Sequence, residues 1–358
     1  MDVVLAKIPT DFWPNLDDAM QAPKERTWHF GESLSNISLA RVMRYRAWRL
    51  AQSGDADVAL LFAGKIAKLS HAHGEISADG VDAMVIFMVM EIGYQTIWDI
   101  AANFSVSSES LQQARQMIQE SRFTDDQLRL MFRRGFSIGS KIVRVYYEEV
   151  QLDGIWEDGA FIGEPYCQDN FMTLPGANRI LPSAFLYKPN KTLRLRADCF
   201  REMMSWIKPE TDGRAAQQLM DDFKKNKIRS LARGRFLYDP YDALGRAAVV
   251  WSIDGFPSLL KRKLYYDSSA SVTETALAVR EYEMKYAKLP ESLSELVPEF
   301  LSSVPTDYMD GQPIRYSKEE RAVWSIGKKF DLTIPLPPPG SNDERLDSIC
   351  RIPVLPNR

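Results

Sequence analysis

The sequence predicts a mainly α fold: an antiparallel helical assembly with a long helix leading into a small C-terminal α+β unit that contains a β-hairpin. Three observations carry that expectation. Apolar residues recur at three- and four-residue steps over most of the first 150 positions, which lines one face of a helix. One long helical pattern spans 258–287. After Pro290 two short runs, 313–317 and 322–326, alternate with the period of two that a strand requires.

Taken in order, residues 1–26 are punctuated by Pro9, Pro14 and Pro23 and read as irregular. Leu34, Ile37, Leu39, Val42, Tyr45, Trp48 and Leu50 then define an apolar helix face, with Arg41, Arg44, Arg46 and Arg49 on the remaining surface. Gly54 suits the end of that helix and Asp55 the N-cap of the next, in which Val58, Leu61, Phe62, Ile66 and Leu69 are expected inward. The pair reads as an αα-hairpin. Positions 79–104 are apolar nearly all round, as in a helix buried on most sides. A further helix is expected over 111–120. Thr124 with Gln127 three residues on is a capping box that opens the next, which continues to about Val150.

Between 151 and 191 the period is lost among glycines and prolines, while Trp156, Phe161, Tyr166, Phe171, Phe185 and Tyr187 supply apolar anchors, so a long ordered loop is expected. Helical pattern returns at 192–207 and 215–232. Pro257 stands just ahead of the long helix, a favourable place for it. Leu293, Leu296 and Val297 suit a short helix, and Lys318-Glu319-Glu320-Arg321 a four-residue hairpin turn. The segmentation is therefore a helical region over 1–150, a loop over 151–191, a second helical region over 192–271, an α+β unit over 272–333 and an extended tail over 334–358.

Composition bounds the function. With 45% hydrophobic and 26% charged residues in 358, the chain is globular and long enough for about two domains. A net charge of −3 gives no global pull toward nucleic acid or anionic membrane, so an electrostatic partner has to be engaged by a local patch. Cys167, Cys199 and Cys350 have no CxxC spacing, and Cys167 with Cys199 is a pair that a disulfide could join. No signal peptide is expected at the start. The strongest apolar run, 83–90, is much shorter than the ~20 residues a bilayer needs, so it is expected to be a core helix and not an integral membrane span.

The chemistry-bearing residues are few. His71 and His73 lie two apart on a helix, do not share a face, and are read as polar residues near a helix end. Glu91, Gln95 and Asp99 form one polar stripe on the apolar third helix. They are either the wetter face of a core helix, paired with the arginines of 41–49, or a cleft with a raised carboxylate pKa. Lys224, Lys225, Lys227, Arg229, Arg233 and Arg235 form a basic run. It could contact phosphates of nucleic acid or lipid, but no base-stacking aromatic precedes Phe236 and no nucleic-acid motif accompanies it, so a solvated helix face is expected and nucleic acid is not an expected partner. Within the aromatic loop, Tyr187, Asn190 and Thr192 are the candidate partner-binding residues, with Asn190 or Thr192 placed to cap the following helix. No nucleophile elbow, Walker loop or zinc-protease motif occurs.

The C-terminal motifs then fall into a recognisable order. Glu274-Thr275-Ala276-Leu277-Ala278-Val279-Arg280-Glu281-Tyr282 leads to Leu289-Pro290-Glu291-Ser292-Leu293-Ser294-Glu295-Leu296-Val297-Pro298. Val304-Pro305-Thr306-Asp307, Asp310-Gly311-Gln312-Pro313-Ile314-Arg315-Tyr316 and Trp324-Ser325-Ile326-Gly327 follow. Over about residues 272–331 this order resembles the globular end of a type II secretion pseudopilin. The chain as a whole is similar to a group of planctomycete and verrucomicrobial helical proteins that carry the same C-terminal unit. The matching features are Gln52-Ser53-Gly54-Asp55-Ala56-Asp57-Val58-Ala59, Tyr187-Lys188-Pro189-Asn190-Lys191-Thr192 and Asp347-Ser348-Ile349-Cys350-Arg351-Ile352-Pro353.

The resemblance implies an envelope or secretion context. An N-terminal anchor, frequent in that group and lacking here, would if removed place the chain in the periplasm or at the envelope; otherwise it is cytoplasmic. The pseudopilin pattern also implies Ca²⁺ ligands at Asp307, Asp310 and Asp331. Because Lys328-Lys329-Phe330 replace the acidic, glycine-rich loop of that pattern, no cofactor is expected. The leading functional expectation is a non-enzymatic interaction or scaffold protein whose partner is another protein. The alternatives are an inhibitor or immunity-type protein for a secreted toxin, and a hydrolase-like enzyme using Glu91 and Asp99.

Overall fold

A computed structural model describes residues 30–74, 80–152, 188–232, 243–253, 255–327, 330 and 349–353. The architecture is mainly helical with a small antiparallel sheet near the C-terminus. Contacts gather the described residues into two compact units. The larger holds 30–74, 80–128, 209–217, 258–327, 330 and 349–353; the smaller holds 129–152, 188–208, 218–232, 243–253 and 255–257.

In the larger unit, helix α1 (Phe30–Gln52) turns into α2 (Ala56–Gly74) at Gly54, whose φ of 97° is the left-handed conformation that glycine adopts freely. The expected αα-hairpin forms, but α1 buries only part of the expected face: Ile37 is buried and Trp48 packs on Phe104, while its middle residues turn outward. Ile37, Ala40, Met43, Ala47 and Ala51 are buried, while Leu39, Val42 and Tyr45 are 40%, 64% and 65% exposed. Val58 of α2, expected inward, is also exposed. The reason is close approach. Alanines dominate the seam of α1, and α2 buries Ala56, Ala59, Ala63 and Ala67. A Cβ on Gly93 of α3 (Gly80–Asn103) would lie 2.7 Å from the Ala67 backbone nitrogen, and one on Gly64 would lie 2.5 Å from Met117 Sδ. Small side chains win the interfaces where backbones nearly touch, and larger ones are left outside.

Helix α3 is the apolar helix that its sequence predicts. Its segment Ala83–Asn103 is long and apolar enough to cross a membrane, and 67% of the apolar window is buried inside the protein. Ser107 caps α4 (Ser108–Ser121), its side chain accepting from the Ser110 N–H at 3.2 Å. The predicted capping box opens α5 (Asp125–Leu152): Thr124 Oγ1 accepts from Gln127 N–H, and Gln127 Oε1 accepts from Thr124 N–H.

The smaller unit contains α5 from Arg129 onward, α6 (Pro189–Ser205), the end of α7 (Gly213–Phe223), a π-turn (Lys224–Ile228), α8 (Arg229–Ala232) and α9 (Ala243–Ile253). Its core is aromatic. Phe200 packs on Phe256 at 4.9 Å and on Phe136 at 5.6 Å between ring centroids, and Trp206 meets Phe223 edge-on at 5.3 Å. Cys199 and Cys350 are both buried free thiols, so Cys199 forms no disulfide; Cys167 lies outside the described residues.

The predicted long helix is α10 (Leu259–Tyr286), in the larger unit, where it packs against α3, α4 and the sheet. It is buried along nearly its whole length despite carrying Lys263, Asp267, Glu274, Arg280, Glu281 and Glu283. After a 3-10 turn at Leu293–Leu296 come β1 (Arg315–Ser317) and β2 (Ala322–Trp324), antiparallel with Tyr316 opposite Val323 and joined across the predicted turn. The tail, expected to be extended, contributes a third strand, β3 (Ile349–Arg351), with Cys350 opposite Val323. Arg321, in the left-handed conformation at φ 46°, fastens it: Nε donates to Ile352 O at 2.9 Å, Nη2 donates to Pro353 O, and Nη2 also pairs with Glu283 of α10 at 2.7 Å.

Candidate functional site

The stripe on α3 is present, but its members face different neighbours. Glu91 is half-buried; it accepts from Gln95 Nε2 at 3.3 Å and from Tyr266 Oη of α10 at 3.4 Å. Asp99, also half-buried, is paired with Arg44 of α1 at 2.9 Å. Burial raises the Asp99 pKa above its usual value, and the Arg44 charge and hydrogen bond oppose that rise. Eight residues of helix separate the two carboxylates by a rise of about 12 Å. That exceeds the roughly 5–9.5 Å over which two carboxylates flank one glycosidic bond. The pairing of Asp99 with an arginine of 41–49 is the arrangement expected for the wetter face of a core helix.

Of the loop candidates, Tyr187 lies outside the described residues. Asn190 and Thr192 do not cap α6, because the helix starts earlier than the periodicity indicates. Pro189 occupies its first position and Lys188 is the N-cap, with no side-chain bond. Thr192 is fully buried and turns its Oγ1 back to Lys188 O at 3.1 Å, so it is not placed to meet a partner; Asn190 is exposed.

Of the two described positions implied as calcium ligands, Asp307 has its acceptor sites filled from within the protein. Asp307 is 0% exposed, and both its oxygens are taken. Oδ1 accepts from Met309 N–H at 3.1 Å and Ser325 Oγ at 2.9 Å; Oδ2 accepts from Ile326 N–H at 2.8 Å and from Arg315 Nη1. Asp310 accepts from Arg315 Nη2 and from Gln312 N–H. The Arg315 guanidinium thus supplies the positive charge that a cation would bring, leaving Asp307 no lone pair for one. Asp331 lies outside the described residues. Among the described residues no group of three or more His, Cys, Asp or Glu is placed to hold a metal.

What the periodicity does not reveal is the ionic inlay around α10. Arg115 donates to Glu281 at 2.5 Å and to Phe300 O. Arg122, just past α4, donates to Glu274 at 2.9 Å, Ser271 Oγ at 3.2 Å and Tyr308 Oη at 3.3 Å, and Gln119 caps the other Glu274 oxygen at 2.6 Å. Tyr94 meets Ser121 Oγ at 3.2 Å, and burial drives its phenol pKa upward, keeping it neutral. Lys263 bridges Asp267 at 2.7 Å and Asp125 at 3.0 Å. Burial pulls the Lys263 pKa down, and the two carboxylates more than offset this, leaving it above 10.5. The sign available in the sequence was the (i, i+4) pair Lys263 and Asp267.

In the smaller unit, Arg196 is 1% exposed and has no carboxylate partner among the described residues. Its guanidinium donates to Gly135 O at 2.7 Å and to Ser252 Oγ, and lies 4.8 Å over the Phe200 ring. Burial pulls its pKa down to about 10, which still leaves it charged at neutral pH. No family model, curated protein or solved structure matches the chain.

Proposed function

We propose that this chain is a non-enzymatic interaction or scaffold protein that binds another protein in an envelope or secretion context, with a pseudopilin-like C-terminal unit as its rigid base. The observation that carries the reading is the outer face of α1. Leu39, Val42 and Tyr45 fall within two helical turns and are 40–65% exposed. Apolar side chains at such spacing are the anchors by which a helix enters a partner's groove or receives a partner's helix. Exposed Arg41 and Arg46 alongside supply the polar rim that such contacts have. The inlay around α10 adds support, because its acids and bases are matched to one another.

The test compares wild type with a Val42→Asp, Tyr45→Asp double variant. Light scattering after size exclusion, with cross-linking under native conditions, should find wild type in a stoichiometric complex and the variant free, with unchanged thermal melting. A wild type that stays strictly monomeric and partnerless, or a variant that keeps its partner, overturns the reading.

A further inference from the structure

The basic run does not continue as a uniform α-helical face. After α7 the chain widens into the π-turn Lys224–Ile228, closed by the Arg229 N–H donating to Lys224 O five residues back. In an α-helix, positions five apart lie about 140° round the axis from each other. In the wider turn Arg229 comes back over Lys224 and Lys225, so three cations gather on one side. Such single π-turns are frequent at functional sites. All three side chains are exposed, and none has an ion-pair partner among the described residues; Lys227 alone reaches Glu202, at 3.8 Å. The turn is rooted by Phe223, which is buried against Trp206. Ile228 and, one turn on, Leu231 are half-exposed beside the cations.

We propose that this patch is a docking surface for an anionic lipid surface. Clustered Lys and Arg draw a protein to negatively charged headgroups, and adjacent aliphatic side chains enter the interface beneath them. Nucleic acid is the less suited phosphate source, because no aromatic side chain in the described run, 224–232, offers a base a stacking face. Asp222, exposed just before the turn, is the built-in opposition.

The experiment is co-sedimentation of the full chain with phosphatidylcholine vesicles, with and without phosphatidylserine, at low and high salt. Wild type should bind the anionic vesicles, release with salt, and ignore the neutral ones. Lys224→Gln, Lys225→Gln and Arg229→Gln together should weaken binding roughly a hundredfold, at about fivefold per cation. Asp222→Asn should strengthen it, and Val42→Asp with Tyr45→Asp should leave it unchanged, which separates this proposal from the one above. Equal binding to both vesicle types, a triple variant that melts and binds like wild type, or binding to a single-stranded oligonucleotide without vesicle binding overturns the proposal.

Discussion

Replacing Asp307 by Ala tests the reading of the C-terminal unit most directly. The carboxylate is fully buried and accepts four bonds from three places: its own loop through Met309, strand β1 through Arg315, and the segment after β2 through Ser325 and Ile326. Its removal leaves the Ile326 and Met309 N–H groups without their acceptor and deprives Arg315 of one of two carboxylates. Loss of one partner of a buried charge pair destabilises by about 3–5 kcal/mol. Arg315 is about 15% exposed, so water recovers part of its share and the lower half of that range applies. For a protein of this size the drop corresponds to a Tm lower by roughly 5 °C, readable by calorimetry or far-UV circular dichroism. Arg315→Ala should be milder, because Asp307 keeps three donors. The double variant should lose less than the sum, with a coupling of about 1–3 kcal/mol. Millimolar calcium should leave the wild-type Tm where it is. An Asp307→Ala variant within about 1 kcal/mol of wild type, additive single effects, or a calcium-induced rise in Tm that Asp307→Ala abolishes would refute the assignment of Asp307 as an internal tie.

Gly93→Ala should destabilise by about 1–3 kcal/mol in urea unfolding despite its better helix propensity, since its Cβ would meet backbone atoms of Ala67 that cannot swing away; a stabilised variant would show that α2 and α3 are not in close contact. Lys263 should contribute stability that is fully present below pH 10.5 and fades as pH rises through its higher folded value, so the gap between wild type and Lys263→Met should shrink in alkaline urea titrations; a gap that widens contradicts the pairing. Arg196→Met should hold stability within about 1 kcal/mol or raise it, because no carboxylate loses a partner, whereas Arg196→Ala should fall by about 2–5 kcal/mol through the cavity it leaves; equal losses in both would point to a counter-charge.

The elements that local rules specify were legible. A capping box needs two residues at fixed spacing, and Thr124 with Gln127 forms it. The helix expected over 258–287 is Leu259–Tyr286, and the turn expected at 318–321 joins β1 to β2. What failed depends on partners distant in sequence. On α1 the larger apolar residues mark one face and the alanines another, and hydrophobicity alone favours the first. Backbone proximity favours the second, and proximity is not written in the helix itself. The third strand is three residues long, too short for its alternation to stand out, and it pairs where β2 offers an edge and the Arg321 side chain donates two bonds, to Ile352 O and Pro353 O. The stripe of Glu91, Gln95 and Asp99 was visible as a stripe, and so was a pairing with the arginines of 41–49, which Arg44 supplies to Asp99; Tyr266, which draws Glu91 elsewhere, lies 175 residues away in the sequence.

Helix α10 shows why those distant partners matter. A helix enclosed by its unit would ordinarily be apolar on every side, and this one is not. Its charges are matched by Arg115 of α4, Arg122 just after it, Asp125 of α5 and Arg321 of the hairpin. Buried pairs of this kind add little net stability over apolar replacements, but an arrangement that leaves one charge alone costs several kcal/mol. Rotating or sliding α10 by one residue would orphan several at once. The inlay therefore fixes a single rotation and register of α10, and through Arg321 it ties the sheet to the same register. Acids held this way are committed to their neighbours within the fold.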